Sequence, residues 1–188
     1  ILARHYADEG VQSSDLGVKA AEKALEMAKC QANDIDMIIL ATSTPDFFGG
    51  FPSTACMVQK KLGVTSNCAA FDVQAVCSGF LYAMETGANF IRSGKYKKII
   101  IVGADKMSSV IDYTDRATCP IFGDGAAAFM LEPTTEEVGI MDSVLRTDGK
   151  GLPFLHIKAG FIGSSSALYL SGRPHGVQVC RSEYVGFL

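Results

Sequence analysis

The sequence of 188 residues contains no tryptophan, only three histidines and no long run of apolar or of charged residues. No apolar stretch approaches the roughly 20 residues that a membrane-spanning helix needs. The formal net charge is -3, and no basic stripe or charged tail is present. Nucleic-acid-binding surfaces are usually marked by such basic stripes. We therefore expect neither a nucleic-acid partner nor a membrane partner.

The six cysteines lack the paired C-x-x-C spacing that indicates a zinc knuckle. The three histidines are scattered and complete no metal-binding motif, so we predict no metal site. The first residues do not have the pattern of a secretory leader. Free thiols are typical of a reducing compartment, and we therefore expect the protein to be cytoplasmic.

Hydrophobic residues make up 48% of the chain, enough for a sizeable core. Helix-like and strand-like patterns alternate, which predicts the α/β class with helices packed on a mostly parallel sheet. In open sheets of this kind, functional sites lie at the carboxyl ends of the strands. The spacing predicts helices over 14–30, 53–62 and 78–94, buried strands over 37–42, 67–73, 97–103 and 121–131, and one further antiparallel strand over 138–145.

One stretch, residues 69–80, joins an apolar strand to a helix through a turn that carries Cys77. At a helix N-terminus the backbone N–H groups and the helix dipole stabilise a thiolate, which makes it a competent nucleophile. The alternative is a small buried cysteine, which is the commoner fate of a free thiol. Position alone favours that alternative. Of the other cysteines, Cys56 is expected in the core, and Cys119 receives no role.

Motifs at residues 36–42, 51–56, 71–80, 114–116 and 122–126 resemble, in order and in approximate spacing, the N-terminal half of β-ketoacyl-acyl carrier protein synthase III. This resemblance implies a thiolase-like fold, here the first half of a layered α/β/α/β/α architecture, in a homodimer. It implies a decarboxylative condensation of an acyl-CoA with malonyl-acyl carrier protein, which starts fatty-acid synthesis. A coenzyme A thioester is then a substrate, and no cofactor is permanently bound.

The resemblance assigns roles to four residues. Cys77 matches the nucleophile that carries the acyl group. The resemblance therefore favours a reactive Cys77 over a small buried cysteine. Arg116 matches the arginine that packs against the coenzyme A adenine, with a surface arginine paired to a nearby aspartate as the alternative. Phe122 matches a residue of the acyl pocket, with a simple core position as the alternative. Phe51 matches a residue that reaches across the dimer to close the pocket, with its neighbours Phe47 and Phe48 as the alternatives for that place.

Some features of the family have no counterpart in this sequence. The tryptophan that faces the adenine is absent, and the family's first strand has no match. The catalytic His and Asn belong to the family's second half, and neither His156 nor His175 lies in a matching motif. We therefore expect this partial chain to be inactive in full turnover. The alternatives are a non-catalytic fragment or pseudoenzyme and a related polyketide starter synthase. Asp124, between two glycines, is expected to bond to backbone N–H groups rather than act as a base.

The resemblance divides the chain in two. Residues 1–160 form an N-terminal thiolase-like half-domain without its first strand, and residues 161–188 form an atypical tail. Moving the reading frame by one nucleotide allows residues 170–181 to read YQEGRTVFKYAV, which is similar to a helix start in the family. Our hypothesis is that the tail is frameshifted, and codons that do not permit this second frame would refute it.

Overall fold

The computed structural model describes residues 2–153 together with 155 and 156. Helices and strands alternate in this part of the chain, as predicted. The helices are α1 (Ser13–Ala28), α2 (Thr54–Lys61) and α3 (Gly79–Arg92), and the strands are β1 (Met37–Ala41), β2 (Ala69–Val73), β3 (Ile99–Lys106) and β4 (Asp124–Leu131). The predicted tail, residues 161–188, lies outside the described residues, so its frameshift stays a prediction.

The four strands form one sheet in the order β2-β1-β3-β4. The central strand β1 runs parallel to both of its neighbours, with Ile39 opposite Phe71 on one side and Ile101 on the other. The last strand, β4, is antiparallel to β3, and its first residue, Asp124, pairs with Lys106. The carboxyl ends of β1, β2 and β3 and the amino end of β4 therefore meet at one edge of the sheet, which we call the upper edge.

Helices cover both faces of the sheet and make a three-layered α/β/α unit. On one face Ile38 and Leu40 of β1 join a buried cluster with residues of α1 and α2. On the other face Met37 and Ile39 join a second cluster with residues of α3. Because alternate side chains of β1 are buried on opposite faces, the strand is apolar throughout. Full burial of each large aliphatic side chain contributes about 1.5–3 kcal/mol to stability.

Glycine lets α3 lie close against the sheet. A Cβ atom built on Gly87 would stand 2.9 Å from Ile101 Cδ1 and 3.0 Å from Leu131 Cδ1. A Cβ on Gly103 of β3 would stand 3.0 Å from Cδ2 of Phe80, in the first turn of α3. Close packing of α3 over β3 and β4 therefore depends on both glycines.

Two sequence predictions need correction. Residues 138–145 form no strand, and Met141 and Val144 are 79% and 70% exposed. An extended segment needs a partner for its backbone groups, and within the described residues none pairs with this one. The strand predicted over 121–131 begins later, at Asp124, and Ile121 before it is exposed.

In the described part of the chain, every helix falls short of the length and apolar content required to cross a membrane. The same residues contain no group of three or more His, Cys, Asp or Glu placed to hold a metal ion.

Candidate active site

Cys77 lies in the connection between β2 and α3, at the upper edge of the sheet. Strand β2 ends at Val73, a 3₁₀ turn covers Val76–Ser78, and α3 begins at Gly79. The Cys77 side chain is exposed to solvent. The thiol therefore stands where an open α/β sheet places its reactive groups, and it is accessible to a substrate.

The turn before Cys77 contains a strained residue. Val76 has φ 48°, in the left-handed region that β-branched residues rarely adopt. The Ser78 backbone N–H and the Ser78 hydroxyl both donate to the Ala75 carbonyl oxygen, at 3.2 and 3.0 Å. Strained backbone of this kind clusters at functional sites, where the surrounding structure holds it in place. The bonds from Ser78 close the turn on both sides of Cys77.

The start of α3 supplies a favourable electrostatic environment for a thiolate. Cys77 stands two residues before the first residue of α3, and the first turn of the helix contains no acidic side chain. The positive end of the helix dipole favours an anion at this position. A Cβ on Gly79 would lie 3.3 Å from the Ala41 Cβ, so glycine allows the helix to begin directly beside the end of β1.

Phe80 fixes the direction of α3 across the sheet. Its ring lies against Gly103 of β3 and stands 5.6 Å from the ring of Phe129 in β4, measured between centroids. The chain therefore passes from the end of β2, at one side of the sheet, to a helix that packs on β3 and β4. Cys77 lies in the connection that leads into this helix.

The remaining cysteines of the described part differ from Cys77. Burial raises the pKa of the Cys68 thiol to about 11, which keeps it protonated. Cys30 is buried and Cys119 is half-buried. Cys56, which we expected in the core, is exposed, and its sulfur accepts a hydrogen bond from the Ser53 hydroxyl at 3.0 Å. That prediction was wrong because Cys56 lies on the side of α2 that faces away from the sheet.

Two carboxylates organise the loops at the upper edge. Asp72 of β2 accepts hydrogen bonds from the backbone N–H groups of Thr54 and Ala55, each at 2.7 Å, at the start of α2. Asp105 of β3 accepts from the Ser43 N–H at 2.6 Å and from the Thr42 hydroxyl at 3.2 Å. Burial raises the pKa of both carboxyls in spite of these bonds. Neither role was predicted, although an acidic residue inside an apolar strand is a signal in the sequence.

A third carboxylate, Asp124, also bonds to backbone. It accepts from the N–H groups of Ala7 and Ser108, both at 2.8 Å, and from the Ser108 hydroxyl at 2.6 Å. These bonds join the N-terminal segment and the loop after β3 to the start of β4. The structural role predicted for Asp124 agrees with these contacts.

The other predicted site residues lie in loops at the same edge. Phe51 follows the loop after β1 and is 87% exposed. Arg116 is exposed in the loop between β3 and β4, and Phe122 is half-buried just before β4. Topology thus brings the four residues to the upper edge, but in the described part of the chain no hydrogen bond connects Cys77 with the other three.

Comparison with known proteins agrees with this architecture. The family model for 3-oxoacyl-[acyl-carrier-protein (ACP)] synthase III matches residues 71–149, a range that includes Cys77, Arg116 and Phe122. A β-ketoacyl-[acyl-carrier-protein] synthase III of Bacteroides thetaiotaomicron is 74% identical over 161 residues, which are 85% of this chain and 47% of that protein. The chain thus spans about half the length of the curated relatives it matches.

Solved structures give the same result. The 3-oxoacyl-[acyl-carrier-protein] synthase III from Aquifex aeolicus is 40% identical, with a TM-score of 0.75 over 81% of this chain and 48% of that one. The corresponding enzyme from Pseudomonas aeruginosa is 33% identical, with a TM-score of 0.81 over 94% of this chain and 52% of that one. The resemblance predicted from the motifs and the thiolase-like fold are both confirmed.

Proposed function

We propose, on the premise that this chain corresponds to the N-terminal half of a 3-oxoacyl-[acyl-carrier-protein] synthase III, that Cys77 carries the acyl group in the first condensation of fatty-acid synthesis. The observation that carries the proposal is the exposed thiol in a strained turn between β2 and α3. The complete protein would be an acyltransferase that condenses an acyl-CoA with malonyl-acyl carrier protein.

Acyl loading requires a thiolate that is a good nucleophile and a good leaving group. The Cys77 sulfur attacks the thioester carbonyl carbon, the carbon–sulfur bond to coenzyme A breaks, and coenzyme A leaves as its thiolate. Cys77 lies beside the N-terminus of α3, whose unpaired backbone N–H groups are suited to contact an anionic group of the substrate. The new thioester on Cys77 is then the electrophile for the second step.

In the second step malonyl-acyl carrier protein loses carbon dioxide, and the resulting carbanion attacks the acyl group on Cys77. That carbanion needs groups that stabilise its negative charge. No histidine of this chain lies in a motif for that task, so we assign only the loading step to residues of this chain. Acyl carrier protein is a proposed partner of the complete protein.

Three loop residues complete the proposal. Arg116 is exposed, and a guanidinium there can stack on the coenzyme A adenine and attract its phosphates. Phe122 is half-buried beside the start of β4, as a pocket residue would be. Phe51 is almost fully exposed, and we propose that it enters the acyl pocket of a second subunit in a homodimer.

We further propose that the reaction needs no permanently bound cofactor, because a thiol and a thioester suffice for acyl exchange. The cysteines of the described residues are free thiols, which supports a reducing, cytoplasmic location.

Mass analysis of the protein after incubation with labelled acetyl-CoA tests the proposal. We expect an acetyl group on the Cys77 peptide, its loss in Cys77→Ser, and its retention in Cys56→Ser, which removes the other exposed thiol of the described residues. If a verified full-length protein takes no label on Cys77, the protein is a non-catalytic relative instead. Preference for other acyl-CoA starters, measured in the same way, would favour a polyketide starter synthase.

A further inference from the structure

A second group of reactive side chains lies at the opposite edge of the sheet from Cys77. Cys30 follows the end of α1, Lys98 directly precedes β3, and Glu132 directly follows β4. The Lys98 Nζ donates to the Cys30 Sγ at 3.4 Å and lies 3.7 Å from Glu132 Oε1. The Cys30 Sγ is 3.8 Å from the same carboxylate oxygen. A thiol, an amine and a carboxylate are therefore in mutual contact.

The backbone holds the thiol and the amine in this arrangement. The Lys98 N–H donates to Asp36 Oδ2 at 2.9 Å, and the Lys98 carbonyl accepts from the Asp36 N–H at 2.8 Å. The Cys30 N–H donates to the Leu25 carbonyl at 3.0 Å and so closes the end of α1. These backbone bonds hold both main chains where the sulfur and the nitrogen are 3.4 Å apart.

Small reagents have a route to the sulfur. Cys30 is 9% exposed, but two of the side chains that contact its sulfur, Lys98 and Glu132, are 35% and 45% exposed. The proposal requires these long side chains to move aside and admit a small reagent. Among the cysteines of the described part, Cys30 alone accepts a hydrogen bond from a lysine. The Lys98 nitrogen is therefore already in contact with the sulfur atom that a peroxide would oxidise.

We propose that Cys30 and Lys98 form a redox modification site, in which a hydroperoxide oxidises the thiol and the amine then closes a sulfur–nitrogen bond. In the first step the sulfur attacks the peroxide oxygen and the O–O bond breaks. Sulfur is oxidised to a sulfenic acid, and the hydroxide that leaves the peroxide takes the thiol proton and departs as water. In the second step the neutral Lys98 amine attacks the sulfur, the S–O bond breaks, and water leaves with one amine proton.

The charges in the cluster change in the direction that the second step requires. The pKa of the Lys98 ammonium is raised, first by its hydrogen bond to Cys30 and then by its charge interaction with Cys30, with smaller contributions from Asp34 and Glu132. A sulfenic acid is uncharged, so oxidation removes this charge interaction and favours release of the ammonium proton. Glu132 is positioned to accept the proton that the ammonium releases.

The resulting bond would join two positions 68 residues apart in the chain. It ties the end of α1 to the start of β3 without touching the upper edge of the sheet. A cross-link that closes such a long loop lowers the conformational entropy of the unfolded chain and therefore raises the free energy of unfolding. The proposed bond is thus a cross-link that thiols cleave, at the end of the sheet opposite Cys77.

The test treats the full, reduced chain with hydrogen peroxide and maps its peptides without reducing agent. We expect a joined peptide of the Cys30 and Lys98 segments, lighter by two hydrogens than their sum, which dithiothreitol separates. Lys98→Arg keeps the positive charge but removes the nucleophilic amine. In this variant we expect no joined peptide and, with dimedone present, a labelled Cys30.

The wild-type result decides the proposal even if a variant folds poorly. A Cys30 that stays reduced, or that proceeds to sulfinic acid without a joined peptide, overturns it. Joining of Cys30 to a different lysine overturns it as well. Circular dichroism of Lys98→Arg confirms that a lost cross-link reflects the missing amine rather than a lost fold.

Discussion

Replacement of Asp72 by alanine tests how strand β2 is coupled to helix α2. The Asp72 carboxylate accepts the N–H groups of Thr54 and Ala55, each at 2.7 Å, and the Ser53 hydroxyl accepts that of Cys56 at 3.3 Å. Three of the four N–H groups that an α-helix leaves unpaired at its start are thus satisfied by two side chains. Asp72→Ala leaves two of them without their partner.

The expected loss follows from opposing contributions. Two hydrogen bonds to a charged group contribute about 1.5–3 kcal/mol each. Burial raises the pKa of Asp72, so desolvation of the carboxylate offsets part of this gain. We expect the free energy of unfolding to fall by about 2–3 kcal/mol, somewhat more than the usual loss of a helix N-cap. For a chain of this size the melting temperature then falls by about 4–12 °C.

Urea denaturation followed by circular dichroism measures this change. Asp72→Asn is the matched control, because its amide oxygen can accept one of the two bonds, and we expect about half of the loss. A midpoint for Asp72→Ala within about 0.5 kcal/mol of wild type, at an unchanged slope, would refute the reasoning. It would mean that water replaces the carboxylate at the start of α2 without cost.

Three further predictions concern the surroundings of the site. Val76→Gly removes about 1–2 kcal/mol of strain from the left-handed backbone at this position but increases the entropic cost of folding by about 0.5–1 kcal/mol. We therefore expect a slightly higher urea midpoint, and slower acylation of Cys77 because the turn is more flexible. A lower midpoint would contradict the strain. Gly103→Ala forces the Phe80 ring to move and should lower the free energy of unfolding by about 1–3 kcal/mol. Gly151→Ala is the control and should be neutral, because its new Cβ meets no atom within 4 Å. Equal melting temperatures for the two variants would contradict this. Burial raises the pKa of Asp105, so the folded state holds its proton more tightly than the unfolded state and wild-type stability gains as pH falls through the folded pKa. Asp105→Asn should lose this gain in urea titrations between neutral and acidic pH, and an unchanged pH dependence would contradict it.

Sequence patterns identified the elements that are apolar on both faces or amphipathic. The unbroken run around Ile39 predicted a buried strand, and β1 is buried along its whole length. The order of strand, turn and helix around Cys77 was also evident from the sequence. These features depend on local composition, which a single chain displays directly.

Features that depend on distant partners were not predicted. The alternating residues around Val144 resembled a strand, but no strand of the described residues pairs with them. Cys56 is apolar and lies in a helix, yet its side of α2 is exposed. The bonds from Asp72 to α2 join residues 17 and 18 positions apart, and local pattern carries no information about such contacts.

The positions of Arg116, Phe122 and Phe51 show the same limit. Arg116 was predicted in an irregular segment and Phe122 at the start of a strand, and the structure places both in loops that the sheet topology brings to the same edge as Phe51. Their roles stay predictions, which alanine variants in the acylation assay can rank against one another.

The most direct test of the account is the stoichiometry of coenzyme A release by the full-length protein mixed with acetyl-CoA alone. If Cys77 carries the acyl group, we expect a rapid release of one equivalent of coenzyme A per active subunit. The release should be matched by acetylation of the Cys77 peptide and should be absent in Cys77→Ser. Release that persists in Cys77→Ser, or acetyl groups found on another residue, would contradict the central claim.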